Sequence, residues 1–163
     1  KVTGVQTCAL PILTVKKALR RDCSIPSEHV TSEEQDQWAH TKLRTTHDAI
    51  VVGSGTVVAD DPRLNARQLV GAVRERPLQE IPQPRRIILD PHNEVPPNAK
   101  ILTDEDAKRT LVIAEKLPIS KLLERLKEEG IASVLVEGGP KVWKGFEESG
   151  CVDEMVILVG ENM

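Results

Sequence analysis

The sequence predicts an α/β fold with a largely parallel central sheet, on three observations. Short apolar runs rich in β-branched residues recur at 49–52, 86–90, 110–114, 131–136 and 153–159. Segments with helix-capping and helix-stop signals separate several of them. The loops between are mostly short, and alternation of strand and helix over short loops favours parallel pairing. At 163 residues the chain suits one domain with a real core.

Composition narrows the function class. Hydrophobic residues make up 39% and charged residues 29%, the balance of a globular protein. No apolar run approaches the roughly 18 residues of a membrane span. A net charge of −3 leaves no basic footprint for nucleic acid. With two Trp, one Phe and no Tyr, base-stacking platforms are excluded as well. Cys8, Cys23 and Cys151 are odd in number and far apart, the pattern of reduced thiols in a cytoplasmic protein. His29, His40, His47 and His92 form no i, i+4 pair and have no cysteine at zinc spacing, so no metal site is expected.

In chain order, residues 1–12 have neither a signal-peptide layout nor periodicity; they resemble translated adapter sequence and are expected to be non-native. The chain has no initiating Met and stops just after an apolar run, so 13–163 reads as a domain truncated at both ends. Residues 13–19 predict a strand and 20–26 a polar turn. Thr31 or Ser32 can cap a helix, with Glu34 or Gln35 reaching back. That helix should run to about Thr46 on a face of Gln35, Ala39 and Leu43 with Trp38 beside them, and Arg44 in its last turn suits the dipole.

Residues 48–67 organise the rest. The buried strand 49–52 breaks at Gly53-Ser54-Gly55-Thr56, a turn whose glycines let backbone approach a ligand. Asp60, Asp61, Arg63 and Arg67 follow at once, the layout of an α/β ligand site, although a plain surface loop reads the same way. Pro77, Pro82 and Pro84 make 68–84 a loop. Strand 86–90 stops at Pro91, Pro96-Pro97 marks a turn, and 110–114 is a further buried strand. Pro118 opens a helix with core residues Leu122, Leu123 and Leu126 and a stop at Gly130.

Strand 131–136 ends at Glu137-Gly138-Gly139-Pro140, where a helix begins that Gly150 closes. Free amides and the dipole make such a start a favourable anion site. Neither the Gly-x-Gly-x-x-Gly fingerprint nor a Walker loop is present, and a tight turn with an incidental Glu remains open.

Together the motifs are selective. Thr-Ser-Glu-Glu before a helix, Leu43-Arg44, Asp48-Ala-Ile with Gly-x-Gly-Thr, Asp60-Asp61-Pro62-x-Leu64-x-x-Arg67 and Val136-Glu137-Gly138-Gly139-Pro140 closely resemble the reductase domain of riboflavin biosynthesis, over about 13–160. The resemblance implies a three-layer, dihydrofolate-reductase-like fold and a homodimer. It implies that NADPH reduces the ribosyl group of an aminopyrimidine ribosyl 5′-phosphate to the ribityl form. Carried over by motif, Ser27, Arg44, Leu64, Arg67 and Glu137 would contact the substrate. His29, Thr56, Asp60, Gly139, Pro140, Lys141 and Val142 would contact the cofactor, and Asp60 would handle a proton near the reacting centre. The cofactor carries the hydride chemistry, so the protein must chiefly hold two carbons in near-attack geometry.

One departure stands out. Where the family has a Ser-Leu-Asp-Gly-Lys-Ile-like turn, this chain reads Arg20-Arg21-Asp22-Cys23-Ser24-Ile25. That motivates the reading of a non-catalytic nucleotide-binding remnant, and another NADPH-dependent reductase of the same fold is a further alternative. The resemblance also makes Arg67→Ala informative. It should weaken the phosphorylated pyrimidine by roughly tenfold to a hundredfold, about 1.5–3 kcal/mol for a lost charge-assisted bond, and spare the cofactor. Calorimetric titration with each ligand checks this, and equal losses would remove the assigned role.

Overall fold

A computed structural model describes residues 10–26, 29–66 and 81–160. Ser27, Arg67 and most of the 68–84 loop lie outside the described residues. The elements are β1 (Ile12–Leu19), α1 (Glu33–Trp38), β2 (Ala49–Gly53), α2 (Ser54–Asp60) and β3 (Arg85–Leu89). They continue with α3 (Lys100–Thr103), β4 (Thr110–Ile113), α4 (Ile119–Glu128), β5 (Ser133–Val136), α5 (Pro140–Glu148) and β6 (Glu154–Val159). The strands form one six-stranded sheet in the order β4-β3-β2-β5-β1-β6, with every pair parallel.

Strand alternation builds the layers, because successive side chains point to opposite faces. Leu13, Val15, Ala49, Val51, Ile87, Val134 and Val136 face Leu122, Leu123 and Leu126 of α4 and Phe146 of α5. Ile50, Val52, Ile88 and Leu135 face the other way, against Leu43, Val57, Leu64 and Ile101. The result is the expected three-layer α/β arrangement. The strand that arrives fifth in the chain is inserted between the first two, so β1, β5 and β2 end side by side.

Three expectations need correction. The helix up to Thr46 has the expected extent but not one type: α1 is followed by a π-helical turn (Ala39–Leu43) and a 3-10 turn (Arg44–Thr46). The cap is as anticipated, with Ser32 and Gln35 completing a capping box. The hydroxyls of Thr41, Thr45 and Thr46 accompany the change by donating to the carbonyls of Gln37, Thr41 and Leu43, where they compete with the backbone ladder. Ala39 and Leu43 are buried as expected, but Trp38 is 43% exposed, since the wider turn resets the stripe.

The second correction concerns β4, which is an edge strand with Val112 exposed and not a buried one. The third concerns the glycine turn at 53–56, which is a strand-to-helix junction: Gly53 ends β2 and caps α2 directly.

The turn after β1 closes despite its altered sequence. Arg20 N–H donates to Ser24 O, Cys23 N–H donates to Arg20 O, and Ser24 N–H donates to Asp22 Oδ1. Cys23 sits at φ 65°, in the left-handed region. An L side chain there costs about 1–2 kcal/mol, partly offset by glycine's larger loss of chain entropy. Cys23→Gly should therefore raise the unfolding free energy by about 0.5–1 kcal/mol, read from urea denaturation; a loss would show that the thiol makes a compensating contact.

Candidate active site

Parallel sheets bind ligands beyond the carboxyl ends of their strands, where the strand order reverses. Here that place is the junction of β1, β5 and β2. Glu137 is the first residue past β5, and its N–H donates to Val51 O of β2 at 3.0 Å, which carries the strand register into the site. Its carboxylate receives a two-pronged bond from Arg44, Nε to Oε1 and Nη2 to Oε2, each 2.8 Å. Arg44 Nη1 donates to the Asn65 carbonyl at 3.0 Å. From β1, Lys16 Nζ lies 3.4 Å from Glu137 Oε2. The Arg44 and Glu137 side chains are only 7% and 4% exposed.

Burial by itself would raise the Glu137 carboxyl. The Arg44 hydrogen bonds and the positive charges of Lys16, Arg44 and His40 outweigh it and bring the group down to about 2. Glu137 is thus a carboxylate at neutral pH, an acceptor facing a cleft of about 710 Å³. Lys16, Arg44, Thr56, Asp60 and Leu64 share that cleft's wall.

A second cleft of about 480 Å³ adjoins the first and is lined by Gly138, Gly139, Pro140 and Trp143. Ala18, His29, Thr56, Asp60 and Glu137 line both, so the two volumes meet along one ridge. Gly139 is the N-cap of α5, with no side chain capping it, and Pro140 fills the first turn. A Cβ placed on Gly139 would meet nothing within 4 Å, so the backbone at this helix start is open to the cleft. Bare amides at the positive end of a nine-residue helix suit phosphate. The chemistry of the second cleft therefore suits a phosphate-bearing ligand.

The structure brings Thr56 and Gly139 to one cleft, as the motifs require. Asp60 is exposed at the end of α2 and lies on the shared ridge. His29, with a side chain 71% exposed, stands at the rim paired with Asp36 at 2.8 Å. Leu64 belongs to the core and to the cleft wall at once; it is 5% exposed and held at φ 53°. Lys141 is exposed on the first turn of α5.

Val142 has a packing part in the fold. A Cβ on Gly53 or Gly138 would approach its side chain to 2.7 or 2.6 Å, so these two glycines exist to let α5 seat on the strand ends. The expectation that Gly53 and Gly55 serve ligand approach gives way here: Gly53 answers to Val142, and Gly55 is exposed on α2.

Sequence reasoning missed Lys16 and Trp143. The signal for Lys16 was present, because Thr14, Lys16 and Ala18 share one face of a strand whose other face carries Leu13 and Val15. Trp143 read only as one of few aromatics; in the structure the Lys17 ammonium lies 4.1 Å from its ring centre.

Residues 22–160 match the family described as the RibD C-terminal domain. The chain belongs to that family. A RibD riboflavin biosynthesis protein of Aquifex aeolicus is 35% identical over 94% of this chain and 47% of its own length. A 2,5-diamino-6-ribosylamino-4(3H)-pyrimidinone 5′-phosphate reductase of Archaeoglobus fulgidus is 32% identical over 78% of this chain and 68% of its own. Among solved structures, Acinetobacter baumannii RibD superposes with a TM-score of 0.82 at 27% identity, covering 94% of this chain and 47% of the other. The Saccharomyces riboflavin biosynthesis reductase Rib7 gives 0.70 at 26%, covering 94% and 74%. The chain spans about half the length of the RibD relatives it matches. The RibD likeness bears out the expected fold. A reductase family of this kind implies a nicotinamide cofactor.

Because Glu137 lies at about 2 in the fold and at 4.5 ordinarily, its ion pairs add stability fully present above pH 4.5 and lost as pH falls toward 2. Glu137→Gln should flatten the stability-versus-pH curve across that window and lower stability at pH 7 by on the order of 2–3 kcal/mol. Urea unfolding at a series of pH values checks it; an unchanged acid slope would mean the fork does not persist in solution.

Proposed function

We propose that this domain uses NADPH to reduce the ribosyl group of an aminopyrimidine ribosyl 5′-phosphate to the ribityl form, in riboflavin biosynthesis. One observation carries the reading: two clefts meet along the ridge of Thr56, Asp60 and Glu137, one opening on bare helix-start amides and the other on a Lys16–Glu137–Arg44 charge cluster. The names of the relatives support the same chemistry. The turn at 20–25 keeps its backbone bonds, which supports an intact first strand beneath the site.

When bound, the reduced nicotinamide supplies a hydride. The rest falls to the chain. Overall, the C1′–ring-oxygen bond opens, the ring oxygen takes a proton and C1′ takes the hydride. The α5 amides at Gly139 and Pro140's turn hold the cofactor's phosphates, and Thr56 and His29 flank it. Glu137, held ionised, accepts N–H groups of the aminopyrimidine, while Lys16 donates beside it. Arg44 fixes the carboxylate with two of its five N–H groups, donates a third to the Asn65 carbonyl, and borders the substrate cleft. Arg67 and Ser27 complete the phosphate and sugar contacts, Leu64 packs on the substrate, and Asp60 handles the proton at the ridge. A cytoplasmic homodimer belongs to the same reading, with Met155, Ile157 and Val159 exposed on edge strand β6.

The test mixes the protein with NADPH and the aminopyrimidine ribosyl phosphate and follows absorbance of the reduced nicotinamide. Turnover is expected, and cofactor binding without oxidation would reduce the domain to a nucleotide-binding module. Glu137→Gln should lower kcat/KM by roughly tenfold to a hundredfold while cofactor affinity stays within about twofold. Unchanged kinetics would return Glu137 to a purely structural part.

A further inference from the structure

Arg86 of β3 is fully buried, and β3 lines neither cleft. A guanidinium has five N–H groups, and each of these meets an acceptor. Nε donates to Thr110 Oγ1 at 2.9 Å. Nη2 donates to Asp104 Oδ1 at 2.8 Å and to Ile101 O at 2.9 Å, and Nη1 donates to Asp104 Oδ2 at 2.8 Å. Those four tie β3 to α3 and β4. The fifth leaves that group: Nη1 donates to the carbonyl of Arg63 at 2.9 Å.

Residues 61–66 are held point by point. Asp61 Oδ1 accepts from Lys100 N–H at 2.8 Å, Asn65 O from Arg44 at 3.0 Å, and Ala66 exchanges two bonds with the Gln83 side chain. Two residues of the segment, Asp61 and Leu64, sit in the left-handed region. Leu64 is cleft wall, and the Asn65 carbonyl steadies the arginine that forks Glu137.

We propose that Arg86 is a positioning residue for the cleft: by gripping the Arg63 carbonyl it seats Leu64 and presents the Asn65 carbonyl to Arg44, which then stays locked on Glu137. Stability alone does not call for a guanidinium here, since apolar residues often replace a buried ion pair without loss. Delivering a rigid fork to a strained backbone segment does call for one. The kinetic half of this proposal rests on the reductase reading above; the geometric half does not.

The double variant Arg86→Met/Asp104→Leu removes the link without leaving a buried charge unpaired, and it also removes the Asp106 N–H bond to Asp104 Oδ1. Ile101 O keeps a donor in the Thr110 hydroxyl at 2.8 Å, whereas Arg63 O loses the donor it has from Arg86. Two readouts apply: kcat, and carbon NMR titration of the Glu137 carboxyl against its neighbours Lys16, His40 and Arg44. Expected are a kcat lower by about tenfold or more, unchanged cofactor affinity, and a Glu137 titration raised by at least about one unit. Leu126→Ala, in the core on the other sheet face, should lower the melting temperature and move neither readout. A folded double variant with wild-type kcat and titration overturns the proposal. If the double variant does not fold, Arg86→Lys is read the same way; if neither folds, Arg86 is a folding peg and the proposal fails. If the wild-type protein never oxidises NADPH yet the titration moves, the reductase reading falls and the positioning link stands.

Discussion

The bidentate bond between Arg44 and Glu137 joins three parts of the chain: the irregular helix after α1, the end of β5, and the 61–66 segment through Asn65. Both charges are nearly sealed from water, so neither could be left without the other. An unpaired buried charge costs far more than a paired one contributes. This makes the pair a constraint on geometry more than a source of net stability. Two cleft residues are set relative to it: Lys16 of β1, which pairs with Glu137, and Leu64, next to the Asn65 carbonyl that Arg44 holds.

The sheet places that pair where a ligand can use it. With β5 inserted between β1 and β2, three strand ends and the start of α5 converge, and one side of the convergence carries the Lys16–Glu137–Arg44 charge cluster while the other is bare backbone. The close seating of Val142 on Gly53 and Gly138 brings the helix start within reach of α2, so Thr56 borders both clefts. A side chain at either glycine would lift α5 away and open the ridge.

Irregular backbone collects at this site. The π-helical turn precedes Arg44, and Leu64 and Asp61 hold left-handed conformations. Such features persist only where surrounding bonds over-determine them, and here the threonine hydroxyls, Lys100 N–H and the Arg86 guanidinium do so.

Much was legible in the amino-acid order alone. The short apolar, β-branched runs at 49–52 and 131–136, the Ser32 cap, the Leu122–Leu123–Leu126 stripe and the stops at Gly130 and Gly150 settle element type, because each depends on neighbours a few residues away. The motif set also named the family, and with it Arg44, Thr56, Glu137 and Gly139, which do share the two adjoining clefts. What stayed hidden depends on contacts across the sheet. Edge or centre for β4, the exposure of Trp38, the service of Gly53 to Val142 and the grip of Arg86 on Arg63 all join residues far apart in sequence. Local propensity carries the strands and helices; only strand order decides which side chains from distant segments come within bonding distance.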